Sequence, residues 1–187
     1  MAATHHLSLS VVLKATGNEA RSALEALQEK MNLRDQVADL QREELWEIEV
    51  RAETPSNAEE TVKRLVMTTN LFANPNKHNY LLSAADGTEP GRDDEVVVLV
   101  TDREGAEGES VLSAIRRMGV DDVVGVRKWV LWRIRLVESP VRGNPELIEL
   151  IRRIGVASGR RDGLLSNPHS QISRAILPWG EEKVLAA

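Results

Sequence analysis

Leu45-Trp46-Glu47-Ile48-Glu49-Val50 (LWEIEV) returns later in the chain as Leu131-Trp132-Arg133-Ile134-Arg135-Leu136 (LWRIRL), and other matches fall into order on either side. Upstream, residues 22–27 (SALEAL) answer to residues 110–115 (SVLSAI), and Val37 and Leu40 answer to Val123 and Val126 at the same distance from the Trp. Downstream, residues 71–75 (LFANP) answer to residues 164–168 (LLSNP), with a short insertion before the second. Coincidences would not keep one order along two long stretches, so the chain reads as a duplication. Two copies point to a pair of subdomains about a pseudo-twofold axis, whereas many would point to a solenoid. The division is a first repeat over 1–84, a Gly/Pro-rich polar linker over 85–94, and a second repeat over 95–187 carrying an insertion and a C-terminal tail.

Within the first repeat, Leu7 to Leu13 (LSLSVVL) alternates like a strand until Thr16-Gly17-Asn18 breaks it. Ala20, Ala23, Leu24, Leu27 and Met31 then recur at helical spacing, with Arg21, Glu25, Gln28 and Glu29 left to solvent. Residues 36–52 are long for one strand and polar in the middle at Gln41–Glu44, which predicts a hairpin or a bent double strand with Trp46, Ile48 and Val50 inward. Ser56, with Glu59 three residues on, is the expected cap of a second helix whose buried stripe is Val62, Leu65, Val66 and Thr69. Asn74-Pro75 ends that helix, and Asn79–Ser83 is a final strand. The second repeat follows suit: a strand over 95–101, a helix over 109–118, strands over 123–137, and a helix with Asn144 as cap, Pro145 in its first turn and Gly155 as its stop. The order β-α-β-β-α-β predicts α+β architecture, as two ferredoxin-like halves with helices on one face of an antiparallel sheet.

The 187 residues can bury a sizeable core, and their formal charge of −5 divides into about −4 for residues 1–92 and −1 for the rest. Neither half has the basic excess that phosphate backbones demand, and one Phe and one Tyr are too few for base stacking, so nucleic acid is not an expected partner. The absence of cysteine excludes disulfides, thiolate nucleophiles and sulfur-ligated metals. No apolar run is long enough to span a bilayer, so a cytoplasmic protein without a membrane partner is expected.

Trp46 and Trp132 lie in phase with Ile and Val or Leu on their strands and read as core. Trp129 and Trp179 have no counterparts in the first copy; Trp129 is open between an interface and a structural role. Glu47 and Glu49 become Arg133 and Arg135 on the face opposite the apolar residues. They are either solvated outer faces or an inter-repeat interface in which acid meets base. Gly155, Gly159 and Gly163 punctuate GVASGRRDG, where Arg160 and Arg161 could hold an anion, although a surface insertion fits the pattern as well. His5, His6, His78 and His169 share no ligand spacing, and neither a Ser-His-Asp set nor a nucleophile elbow is present. No catalytic, metal or cofactor residue is assigned.

Residues 62–80 (VKRLVMTTNLFANPNKHNY), following LWEIEVRAE, resemble the PurS family, the small subunit of phosphoribosylformylglycinamidine synthase. Family members carry Leu-Leu-Ala-Asn-Pro at the end of the second helix and then a strand with Tyr. Leu71, Ala73, Asn74, Pro75 and Tyr80 match this pattern, with Phe72 a conservative departure; Leu164, Leu165, Asn167 and Pro168 match in the second copy, where Ser166 replaces Ala and no Tyr follows. The resemblance implies a covalent PurS dimer with no chemistry of its own. It would hold the formylglycinamidine synthetase and the glutaminase together for glutamine-dependent amidation in purine biosynthesis, and it could form a homo-oligomer. ATP and magnesium would belong to the partner synthetase. The longer second half, the Arg/Gly insertion and the Trp179 tail depart from the family. Two other readings stand beside it: a tandem ACT-like small-molecule sensor, and a ferredoxin-like enzyme using His78 or His169.

Overall fold

Leu7, Leu9 and Val11 alternate along β1 (Ala3–Leu13), and the same alternation in β2 (Val37–Ala52) sets their register. Leu9 lies opposite Trp46 and Leu7 opposite Ile48 in an antiparallel pair, so both strands bury the same face. A third strand, β3 (His78–Ala84), runs antiparallel along the other side of β1, with Leu82 opposite Leu9. The second copy builds the same ladder from β4 (Glu95–Asp102), β5 (Val123–Leu136) and β6 (Gln171–Ile176). There Val98 lies opposite Trp132, and β6 takes the place beside β4 that β3 takes beside β1. A further antiparallel strand, β7 (Glu182–Ala186), pairs with β6. The computed structural model describes residues 2–15, 17–84, 93–157 and 163–186.

Among the described residues four α-helices complete the α+β architecture: α1 (Asn18–Glu25), α2 (Pro55–Thr68), α3 (Ala106–Arg117) and α4 (Pro145–Gly155). The helix α1 continues as a π turn over Ala26–Lys30, where the Met31 N–H reaches back to the Ala26 carbonyl at 3.1 Å. Asn32 then adopts a left-handed conformation, φ 55°, that ends the coil and turns Leu33 into the core. No described helix is long and apolar enough to cross a membrane.

The sequence repeat and the compact unit are different divisions of the chain. One unit takes Met1–Ala15, Glu43–Thr88 and Glu104–Trp129; the other takes Thr16–Arg42, Glu89–Arg103 and Val130–Ala187. The first unit packs Leu7, Leu9, Trp46, Ile48, Val62 and Leu65 of copy one with Leu112, Ile115 and Val123 of copy two. The second packs Val96, Val98, Trp132, Ile134, Ile151 and Ile154 of copy two with Ala20, Leu27, Leu33, Val37 and Leu40 of copy one. Each copy therefore contributes its first helix, and the start of its long strand, to the unit that holds the other copy's Trp. In the first unit α3 lies so close to the sheet that a Cβ at Gly108 would stand 2.3 Å from the Val126 carbonyl oxygen, which only glycine avoids.

Three local expectations change. Residues 37–52 form one unbroken strand instead of a hairpin, and residues 123–136 do the same. In the polar stretch that suggested a break, Gln41 to Glu44, Gln41 is exposed while Arg42, Glu43 and Glu44 are half-buried and bonded, Glu43 accepting from the Ser10 hydroxyl at 3.0 Å. The cap of α2 is Thr54, whose hydroxyl accepts from the Asn57 N–H at 3.2 Å, because Pro55 already occupies the first turn and leaves Ser56 inside the helix. The C-terminal tail contains β7. Asn144 caps α4 as expected, accepting from the Glu146 N–H at 2.9 Å, and the helix ends at Gly155.

Candidate functional site

The two Asn-Pro segments become two copies of one turn. The Asn74 side-chain oxygen accepts from the Asn76 N–H and its carbonyl from the Lys77 and His78 N–H groups, while its own N–H donates to His78 Nδ1 at 2.9 Å. In the second copy the Asn167 side-chain oxygen accepts from the His169 N–H, and its carbonyl from the Ser170 and Gln171 N–H groups. Its own N–H donates to Gln171 Oε1 at 2.8 Å. Asparagine suits this position because its short amide mimics a backbone turn, and proline next to it prevents the helix from running on.

Each turn is also clasped from the same side. Lys14, just past β1, donates from Nζ to the Pro75 carbonyl at 2.7 Å and from its backbone N–H to the Lys77 carbonyl at 2.9 Å. Arg103, just past β4, donates from its guanidinium to the Pro168 carbonyl at 2.7 Å and from its backbone N–H to the Ser170 carbonyl at 3.0 Å. The rest of the motif is core: Phe72 and Ala73 are buried in the first unit, Leu165 and Ser166 in the second. Phe72 meets the Trp46 ring edge-on at 5.2 Å between centroids, so its departure from leucine serves the tryptophan. Leu71 is half-buried, whereas Leu164, Pro75 and Tyr80 are exposed. His78, with Nδ1 accepting a backbone proton, is part of the turn, and His169 is exposed.

A second duplicated arrangement surrounds the tryptophans. The Lys128 ammonium lies 5.1 Å from the Trp46 ring centre and pairs with Glu44 at 3.0 Å and with Glu107, from α3, at 2.6 Å. The Arg42 guanidinium lies 5.9 Å from the Trp132 ring centre and pairs with Glu19, from α1, at 2.9 Å. Arg42 and Lys128 each stand four residues before a Trp, yet each covers the Trp of the other copy. The sequence shows the shared offset of these bases from the Trp but not which Trp each one covers. Both indoles are buried, and neither N–H meets an acceptor among the described residues.

Of the four charged strand residues, Glu49 and Arg133 each have an ionic neighbour in their own unit. Glu49 lies 3.7 Å from His6 and against Gly125, where a Cβ would stand 2.8 Å from its carboxylate. Arg133 pairs with Glu95 at 3.8 Å; Arg135 lies opposite Glu95 in the β4–β5 ladder, and Glu47 opposite Ser8 in the β1–β2 ladder. Trp129 is buried beneath the Arg127 guanidinium, at 5.9 Å. Trp179 packs on the second unit's core and donates its N–H to Glu181 at 2.9 Å. The Lys183 ammonium, and then this indole, hold the Glu181 carboxyl below the usual range. Arg160 and Arg161, and linker residues 85–92, lie outside the described residues.

A cleft of about 500 Å³ opens in the second unit between the segment after β5 and the start of α4. Leu136, Leu147 and Leu150 line it with Glu138, Glu149 and Arg153. No group of three or more His, Asp or Glu among the described residues is placed to hold a metal ion. No protein-family model matches the chain, and no curated protein matches it.

Proposed function

We propose that the chain is a non-catalytic, PurS-like assembly subunit that holds a formylglycinamidine synthetase and a glutaminase together for glutamine-dependent amidation in cytoplasmic purine biosynthesis. The observation that carries this reading is the pair of Asn-Pro turns, each closed by the same set of hydrogen bonds and clasped by a base past the first strand of its copy. The exchange of helices supports it too, because subunits that complete each other's cores are what a dimer fused into one chain retains. In this reading the halves are ferredoxin-like and related by a pseudo-twofold axis, with the unbroken β2 and β5 standing for the paired central strands. The partner synthetase supplies ATP and magnesium.

The test is to mix the chain with the synthetase and glutaminase of its host, weigh the assembly, and record glutamine-dependent turnover. A ternary complex whose glutamine-dependent activity requires the chain is expected. No complex and no change in turnover would remove the purine assignment. The cleft in the second unit favours one alternative, a small-molecule sensor, since its volume falls in the range of ligand sites. A rise in melting temperature with amino acids or nucleotides, lost on replacing Leu150 with Trp, would support that alternative.

A further inference from the structure

The two outermost strands, one in each unit, differ in how they meet solvent. In the second unit the edge is β7, five residues long, with Glu182 and Lys183 on it and a register shift beside it at Ser173/Arg174. Shortness, charge and irregularity are the devices by which sheet edges avoid pairing with other strands. The outer strand of the first unit has none of them. β3 runs for seven residues in unbroken register with β1, contains no proline, and has no Asp, Glu, Lys or Arg. Among the described residues its other edge has no strand. Leu81 stands 69% exposed on one face and Tyr80 37% exposed on the other.

We propose that two copies of this chain join through β3, antiparallel and about a twofold axis, so that each strand supplies the other's missing neighbour. Charge selects this occupant. β7 is matched to β6 by Glu182 against Arg174, at 3.5 Å, whereas β3 has no charge for a charged strand to meet. A second β3 is a neutral strand of equal length, and antiparallel self-pairing sets no like charges opposite each other along it. Pairing of β3 with β7 of another copy would instead leave Glu182 and Lys183 against a neutral edge, and repeated it would make an open chain of copies. The contact is a single strand pair with the side chains around Tyr80 and Leu81, small for an interface, so the dimer forms and dissociates with concentration.

Sedimentation of the full chain over a wide concentration range tests this. The expected result is a reversible monomer–dimer equilibrium, with Leu81→Lys weakening dimerisation at least about tenfold, since like charges then face each other, and leaving the melting temperature of the monomer in place. The chain has no cysteine, so Leu81→Cys gives a unique thiol. Under oxidation it should yield a disulfide-linked dimer, and Lys183→Cys on β7 should not. A wild-type chain monomeric at every concentration, a dimer indifferent to Leu81→Lys, or cross-linking at 183 and not at 81 would each overturn the proposal.

Discussion

The core around Trp46 and the core around Trp132 are made of the same parts with ownership reversed. Each has a buried indole, a cation over it from the other copy's long strand, and a carboxylate on the helix that the other copy lends. They differ in the cation. Lys128 is compact, only 13% exposed, and held between Glu44 and Glu107, while Arg42 reaches Glu19 from a wetter position at 26%. The geometry thus asks for a positive charge at a set reach, and the two copies supply it with different desolvation. Ownership is the firmer lesson, because each Trp core takes one of its helices from the opposite copy.

The hardest way to break the comparison is to empty both centres. Trp46→Ala and Trp132→Ala should each cost about 4 kcal/mol, by the usual penalty for a buried aromatic, with Trp46 the costlier because Phe72 also loses its ring partner. Chemical denaturation measures both. Leu27→Ala, on the π turn after α1, should cost about 3 kcal/mol and reveal ownership directly. Hydrogen exchange should quicken in β4 and α4, of the other copy, and stay unchanged in β1 and α2. The reverse pattern would refute the exchange of helices.

Replacing the cations sharpens the contrast. Lys128→Met should cost about 2 kcal/mol and Arg42→Met about 1 kcal/mol, since charge-assisted bonds and ring contacts count for more where water is scarcer. Equal losses would show that burial does not set the difference. Removing the turn amides is milder: Asn74→Ala and Asn167→Ala should each cost about 1 kcal/mol, one net hydrogen bond apiece, read as matched falls in melting temperature. The smallest effect is on pH. Because the Glu181 pKa is lowered in the folded chain, its contribution is complete above the ordinary glutamate value and fades as pH falls through the lowered one. Trp179 fluorescence should change in that acid window and stay level in Glu181→Gln.

The duplication, the helical stripes and the inward phase of Trp46, Ile48 and Val50 were legible because period and spacing are local. Ownership was not. The apolar stripe Ala20, Leu27 and Met31 fits a Val- and Ile-rich sheet of either copy equally well, and stripes do not name their partners. Strand continuity failed for a related reason: Arg42 and Glu44 look like turn material, yet each sits beside a Trp core where a carboxylate or an ammonium satisfies it. The Asn-Pro turns were visible as motif residues, but the Lys14 and Arg103 clasps were not, because a single base after a strand is ordinary. β7 stayed hidden as a tail, since strand length and charge made it weak in propensity.

The lending of helices also sets an order of events on the ribosome. The first unit can close once Val123 has emerged, because Leu112 and Ile115 have then been made. The second must wait for Leu177, while the helical segment of residues 18–31, synthesised well before it, holds Leu27 and Met31 uncovered. At ordinary elongation rates that wait is on the order of ten seconds. This first helix of the repeat is therefore among the last to find its place, and the nascent chain is most in need of a chaperone over residues 18–33.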